Sequence, residues 1–135
     1  MLERNRHSVY DLEYRLVVVT KFRCPVLNAE VSKRLEALCI SLLEGNWRCK
    51  IIQIATMSDY IQIIFSAPPQ VQLSKLVNNF KTVTSRRLRK EFASHFAAFY
   101  NEPYLWSNSY LVATVSDRTQ DIAVEYIKTQ DVPEP

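Results

Sequence analysis

Residues 48–66 read RCKIIQIATMSDYIQIIFS, and this stretch decides the fold. Two apolar, β-branched runs, 48–57 and 60–66, flank Ser58-Asp59, which suits a tight turn, so the segment predicts a β-hairpin. In the second run Ile61, Ile63 and Phe65 point one way, and Tyr60, Gln62 and Ile64 point the other. Upstream, residues 8–20 (SVYDLEYRLVVVT) read as a strand, with Val9, Leu12, Tyr14, Leu16 and Val18 mostly at period two. Lys21 to Pro25 form a basic exit loop. Asn28 caps a helix over 29–44 whose Val31, Leu35, Leu38, Cys39, Leu42 and Leu43 fall on one stripe. Gly45 then stands where a helix C-terminus wants a left-handed residue.

Downstream, Pro68-Pro69 breaks the chain. A second helix is expected from about Leu73 to Phe92, with Leu73, Leu76, Val77, Phe80 and Leu88 toward the core. Residues 105–115 (LWSNSYLVATV) read as a strand. Asp117 with Gln120 suggests a capping box for a last helix over 118–130. The order β-α-β-β-α-β-α predicts an α+β, ferredoxin-like split βαβ layer: a four-stranded antiparallel sheet with helices on one face. The C-terminal helix has no obvious place in that layer and either packs on its own sheet or docks on a partner. Residues 1–131 are expected to form one domain and 132–135 a disordered tail.

Composition narrows the chemistry. At 135 residues and 47% apolar, the chain has enough material for a core without staples. A single glycine excludes a dinucleotide fingerprint and a Walker phosphate loop, which both need several close backbone approaches. Three cysteines without a C-x-x-C pair argue against a disulfide framework or structural zinc and for a reducing cytoplasm. No stretch approaches the roughly 18 apolar residues of a membrane span.

The net charge of +3 is modest, but its distribution is not. The second helix carries Lys75, Lys81, Arg86, Arg87, Arg89 and Lys90 with no acid until Glu91. Arg86, Arg89 and Lys90 lie three and four apart and share a face. Solvated helices usually interleave Glu; a one-signed face beside Asn78 and Asn79 suits phosphate backbones. Lys21 and Arg23 in the exit loop add to the candidate DNA-binding set. Tyr126 and Gln130, one helical turn apart, form a second feature. A phenol beside a divalent ion can act as a nucleophile, although a tyrosine on an amphipathic helix is more often core or interface. Tyr60 and Gln62, on one face of a strand, are poor metal ligands. His7 and His95 pair with nothing at a telling spacing.

Several short segments recur in a familiar order. They are His7-Ser8-Val9-Tyr10, Lys21-Phe22-Arg23-Cys24-Pro25-Val26-Leu27, Ser66-Ala67-Pro68-Pro69 and Thr84-Ser85-Arg86-Arg87-Leu88. Leu105-Trp106-Ser107-Asn108-Ser109-Tyr110, Thr114-Val115-Ser116 and Tyr126-Ile127-Lys128-Thr129-Gln130 follow. From about His7 to Gln130 the chain resembles the small single-tyrosine HUH transposases of bacterial and archaeal insertion sequences. HUH denotes His, hydrophobic, His on one strand. The resemblance implies a homodimer with a shared sheet that binds hairpins of single-stranded DNA. It implies Tyr126 as the nucleophile that forms a 5′-phosphotyrosine link. It further implies a Mg²⁺ or Mn²⁺ ion held by two histidines and Gln130, with the nucleophile helix often serving the partner's site.

The family's Met-Pro-Asp-His-hydrophobic-His segment aligns with Met57-Ser58-Asp59-Tyr60-Ile61-Gln62, so Tyr60 and Gln62 replace both histidines. Thr82 replaces a usual glycine. Losing the metal removes several kcal/mol of transition-state stabilisation. The expectation is therefore a hairpin-binding protein of the transposase family with impaired strand transfer. The alternatives are an active transposase whose metal site uses Asp59, Gln62 and Gln130, and a non-catalytic ferredoxin-like dimer that binds RNA or protein.

Overall fold

Leu16, Val17, Val18 and Val19 are all completely buried. Successive residues of a strand point to opposite faces, so this run requires a cover on both sides of the sheet. The computed structural model describes residues 3–4, 9–10 and 12–130. In chain order the elements are β1 (Glu3–Arg4), β2 (Val9–Tyr10), β3 (Glu13–Val19), α1 (Ala29–Ile40), β4 (Lys50–Thr56), β5 (Tyr60–Ser66), α2 (Leu73–Glu91), α3 (Ala93–Ala97), β6 (Leu111–Thr114) and α4 (Asp117–Thr129). The main sheet runs β4-β5-β3-β6, antiparallel throughout, with Glu13 opposite Ser66 and Val19 opposite Tyr60. This is the expected split βαβ layer. β1 and β2 form a separate small ribbon, so the strand expected over 8–20 is divided, and its main part starts at Glu13.

One face of the sheet presents Leu16, Val18, Ile61, Ile63 and Phe65 to Val31, Leu35 and Leu38 of α1 and to Leu76, Val77, Phe80 and Leu88 of α2. The opposite face presents Val17 and Val19 to Ala123 of α4, with Tyr60, Leu111, Tyr126 and Ile127 packed around them. The C-terminal helix thus packs on its own sheet, over β3 and β6. It is capped by Ser116, whose hydroxyl accepts from Thr119 N while Thr119 Oγ1 accepts from Ser116 N. The capping pair is one residue earlier than the expected Asp117 with Gln120, because Ser116 is the residue that takes the extended N-cap backbone.

Three further boundaries differ from the sequence pattern. Gly45 has no left-handed backbone; α1 runs on into a π-helical turn over Ser41–Asn46, and Arg48 takes the positive φ of 56°. α2 stops at Glu91, where Phe92 leaves helical geometry before α3. The strand expected over 105–115 is ordered as sheet only at Leu111–Thr114, with one bridge between Trp106 and Thr20. Leu105 and Ser107 still bond to the chain at the end of β3, through Lys21 N to the Leu105 carbonyl and Ser107 N to the Val19 carbonyl. The ladder lapses between Ser107 and Leu111, where the Lys81 ammonium takes the carbonyls of Ser107 and Asn108 at 2.7 and 3.3 Å. The tail 132–135 lies outside the described residues, as does His7.

Trp106 locks α2 to the strand-side segment. Its ring stacks on Phe80, with centroids 6.1 Å apart, and its indole N–H donates to Thr84 Oγ1 at 2.9 Å. Thr84 in turn donates to the Phe80 carbonyl at 2.6 Å. Both Trp106 and Thr84 are buried. Thr84→Val keeps the shape but leaves the indole N–H unsatisfied, which costs about 1–3 kcal/mol. Urea unfolding should show that loss as a lower midpoint at an unchanged m-value.

Candidate functional site

Tyr126 stands on the last turns of α4, partly buried against the Val17–Val19 cluster that also holds Tyr60. Its hydroxyl lies 2.7 Å from Ser109 Oγ, and Ser109 donates to Gln130 Oε1 at 2.8 Å. A serine hydroxyl has one proton. With that proton given to Gln130, the Tyr126 hydroxyl is the donor to Ser109. The helical spacing of Tyr126 and Gln130 places both polar ends on the same side, and one serine from the segment before β6 ties them together. Gln62 lies opposite Val17 in the β3–β5 register and Tyr60 opposite Val19, on the sheet face that α4 covers. Tyr126, Gln130, Tyr60 and Gln62 therefore share one side of the sheet within a single chain.

Residues 8–130 match the family model described as "Transposase IS200 like". The chain belongs to the IS200-like transposase family. It is 29% identical to the ISDra2 transposase TnpA of Deinococcus radiodurans over 129 residues, covering 96% of this chain and 91% of that protein. It is 25% identical over 125 residues to the transposase for insertion sequence element IS200 of Salmonella typhimurium, covering 92% of this chain and 80% of that one. A crystal structure of a Deinococcus radiodurans R1 protein assigned as a transposase superposes with a TM-score of 0.87 at 30% identity, over 96% of this chain and 98% of that one. The fold, though not the sequence, is also shared with a REP-associated tyrosine transposase bound to a REP hairpin. There the TM-score is 0.56 and the identity 15%, over 94% and 70% of the two chains.

Within this transposase fold the donor set for a divalent ion is weak. Magnesium and manganese ions favour carboxylate, carbonyl and water oxygens and, for manganese, imidazole. Tyr60, Gln62 and Gln130 offer neutral oxygens, and the Gln130 oxygen is engaged by Ser109. Asp59 carries the nearest carboxylate in sequence, but it is paired with Arg23 at 3.0 Å. No cluster of three or more His, Cys, Asp and Glu among the described residues could hold a metal. The residues present do not fit such an ion.

The basic residues divide into three groups. Lys81, Arg86 and Arg89 line an open cavity of about 300 Å³ with Thr82, Ser85 and Trp106. Burial, and then the neighbouring Lys21, lower the Lys81 ammonium below its ordinary value. Lys81 also sits 5.9 Å from the centre of the Tyr110 ring, and Lys21 lies over the Phe22 and Tyr104 rings. Arg87, by contrast, turns to Glu91 at 3.4 Å, and Glu91 also pairs with Arg34 of α1. Arg23 is held by Asp59. Lys75 and Lys90 are exposed and outside the cavity lining. Of Arg86, Arg89 and Lys90, the first two line the cavity. Asn79 is engaged by the Trp47 indole.

Three other reactive side chains serve structure. His95 Nε2 lies 2.8 Å from the Val26 carbonyl. Burial pushes the Cys39 and Cys49 thiols up to about 12, with Glu36 and Glu44 adding to the shift at Cys39, so neither supplies a thiolate at neutral pH. Ser109 had no signal in the sequence, because its role depends on the loop before β6 folding back onto α4. Ser109→Ala and Tyr126→Phe each delete one end of the same neutral hydrogen bond, worth about 0.5–1.5 kcal/mol. A double-mutant cycle in urea should return a coupling of that size; additive losses would show that the pair is not coupled.

Proposed function

We propose that this family member binds hairpins of single-stranded DNA and that its strand cleavage and rejoining are impaired. The observation that carries the impairment is the donor set around Tyr126. In the family reaction the Tyr126 oxygen would form a bond to the 5′ phosphorus while the bond from phosphorus to the 3′ oxygen breaks. The phenol proton must leave, and the 3′ oxygen departs as a hydroxyl. Among the described residues, Tyr126 meets the Ser109 hydroxyl, which donates to Gln130, and no cluster of three or more His, Cys, Asp and Glu could hold a metal. Charge developing on phosphorus then lacks its usual stabilisation.

The cavity lined by Lys81, Arg86, Arg89 and Trp106 supports DNA binding, because it joins three cations to an aromatic wall. The hairpin bound by the REP-associated relative supports the class of ligand. A homodimer is the working unit that the resemblance implies, and the free cysteines suit a reducing cytoplasm. Exposed Ile122 and Val124 on α4 and Ile52 on the edge strand β4 give it apolar area to use. No helix among the described residues is long and apolar enough to cross a membrane. The alternative metal site with Asp59 is disfavoured by the Arg23–Asp59 pair, which already neutralises that carboxylate.

Single-stranded DNA releases counterions with a salt slope of about −0.7 per phosphate contact. Replacing Arg86 and Arg89 together by Gln should weaken hairpin binding in fluorescence anisotropy and flatten that slope by about 1.4. Replacing Arg87 alone should leave the slope nearly unchanged. An unaltered slope in the Arg86/Arg89 variant would remove the cavity from the interface.

A further inference from the structure

Arg15 is the only charged side chain that is buried among the described residues, at 6% exposure. Its Nε is sealed from solvent with no hydrogen-bond partner. The ion pairs among the described residues use Arg23, Arg34 and Arg87, and none uses Arg15. Glu13, two residues earlier on the same face, has an interaction of its own, and Arg15 is not among the residues with such further interactions. A guanidinium N–H sealed from water without an acceptor costs free energy, because its desolvation is not repaid.

The register says where this charge sits. Arg15 lies on the central strand between Ile64 of β5 and Ala113 of β6. It faces the same way as Val17 and Val19, which is the side holding Tyr60, Gln62 and Tyr126. At a rise of about 3.3 Å per residue, Arg15 is about 7 Å along the strand from the Gln62 row and about 13 Å from the Tyr60 row. The capped N-terminus of α4 follows β6 at this same end. A guanidinium is a planar fork that matches phosphate oxygens two at a time.

We propose that Arg15 is a phosphate-binding residue that takes a backbone phosphate of the DNA at the Glu13 end of β3, away from the phosphate presented to Tyr126. The site is separate from the α2 cavity, and it rests on the DNA-binding function proposed above. Arg15 supplies a fixed charge on the side of the sheet that holds Tyr60, Gln62 and Tyr126. Its unpaired burial in the free protein is what a site built for an incoming anion looks like.

The test compares wild type, Arg15→Met and Arg15→Lys with a hairpin oligonucleotide carrying a single-stranded flank, across a salt series well below the melting temperature. Arg15→Met should weaken binding and flatten the salt slope by about 0.7, one single-strand phosphate contact. Its melting temperature without DNA should be equal to or above that of wild type, since a buried unpaired charge has been replaced by an apolar side chain of similar length. Arg15→Lys should keep the wild-type slope. An unchanged slope in Arg15→Met overturns the proposal whatever the melting temperature does. Inorganic phosphate at constant ionic strength is the second arm. If it raises the melting temperature of wild type but not of Arg15→Met, and the DNA slopes agree, the site belongs to a free anion and the proposal falls. Wild type that binds no hairpin at all would instead refute the DNA-binding function itself.

Discussion

The structure depends on one strand being dry on both faces. Leu16 and Val18 close the main core against α1 and α2, while Val17 and Val19 close a smaller one against α4. Each such side chain contributes roughly 1.5–3 kcal/mol when fully buried. The smaller cluster decides where the tyrosine goes. Without Val17 and Val19 the helix 117–129 would have only a four-residue edge strand to lie on. With them, Ala123 packs flat on the sheet and Tyr126 arrives over the row that holds Tyr60. The same alternation carries Arg15 to that side, so Arg15 and the seat of Tyr126 both follow from the period of β3.

Electrostatics then shape the opposite side. Lys81 donates to the carbonyls of Ser107 and Asn108, just past the last bond of Ser107 to β3, and lines the cavity between α2 and Trp106. At the hairpin end, Thr20 and Arg23 bind the backbone and carboxylate of Asp59. These contacts hold Phe22 and Arg23 in left-handed backbone geometry, at φ of 57° and 54°. Such conformations cost about 1–3 kcal/mol each and persist only where neighbours over-determine them. Here they present Lys21 over the Phe22 and Tyr104 rings and near Lys81.

Much of the fold was legible because it is written in local periods. The hairpin 48–66, the apolar stripe of α1, the Asn28 cap and the amphipathic α2 each appear in the structure close to their expected bounds. Tyr126 and Gln130 were legible as a pair because helical spacing alone brings them together. What stayed hidden depends on distant partners. Ser109 reaches Tyr126 from across a turn, and Arg87 leaves the basic face because Glu91 and Arg34 sit beside it. Gly45 is a helix terminator by composition, yet the chain tightens its turn at Arg48 after a π-helical stretch, with Trp47 N donating to the Leu42 carbonyl. Arg15 carried no signal in the sequence, since nothing local distinguishes a buried arginine in a strand from an exposed one.

The central proposal is that this transposase-family protein binds hairpins without cutting them. The direct measurement is a covalent-adduct assay on labelled single-stranded hairpins from the DNA flanking the gene, with Mn²⁺, beside Tyr126→Phe. Native and denaturing gels of the same samples are compared. A native shift with no adduct on the denaturing gel is the expected result. An adduct that survives denaturation in wild type and is lost in Tyr126→Phe would contradict it and establish an active strand-transfer enzyme.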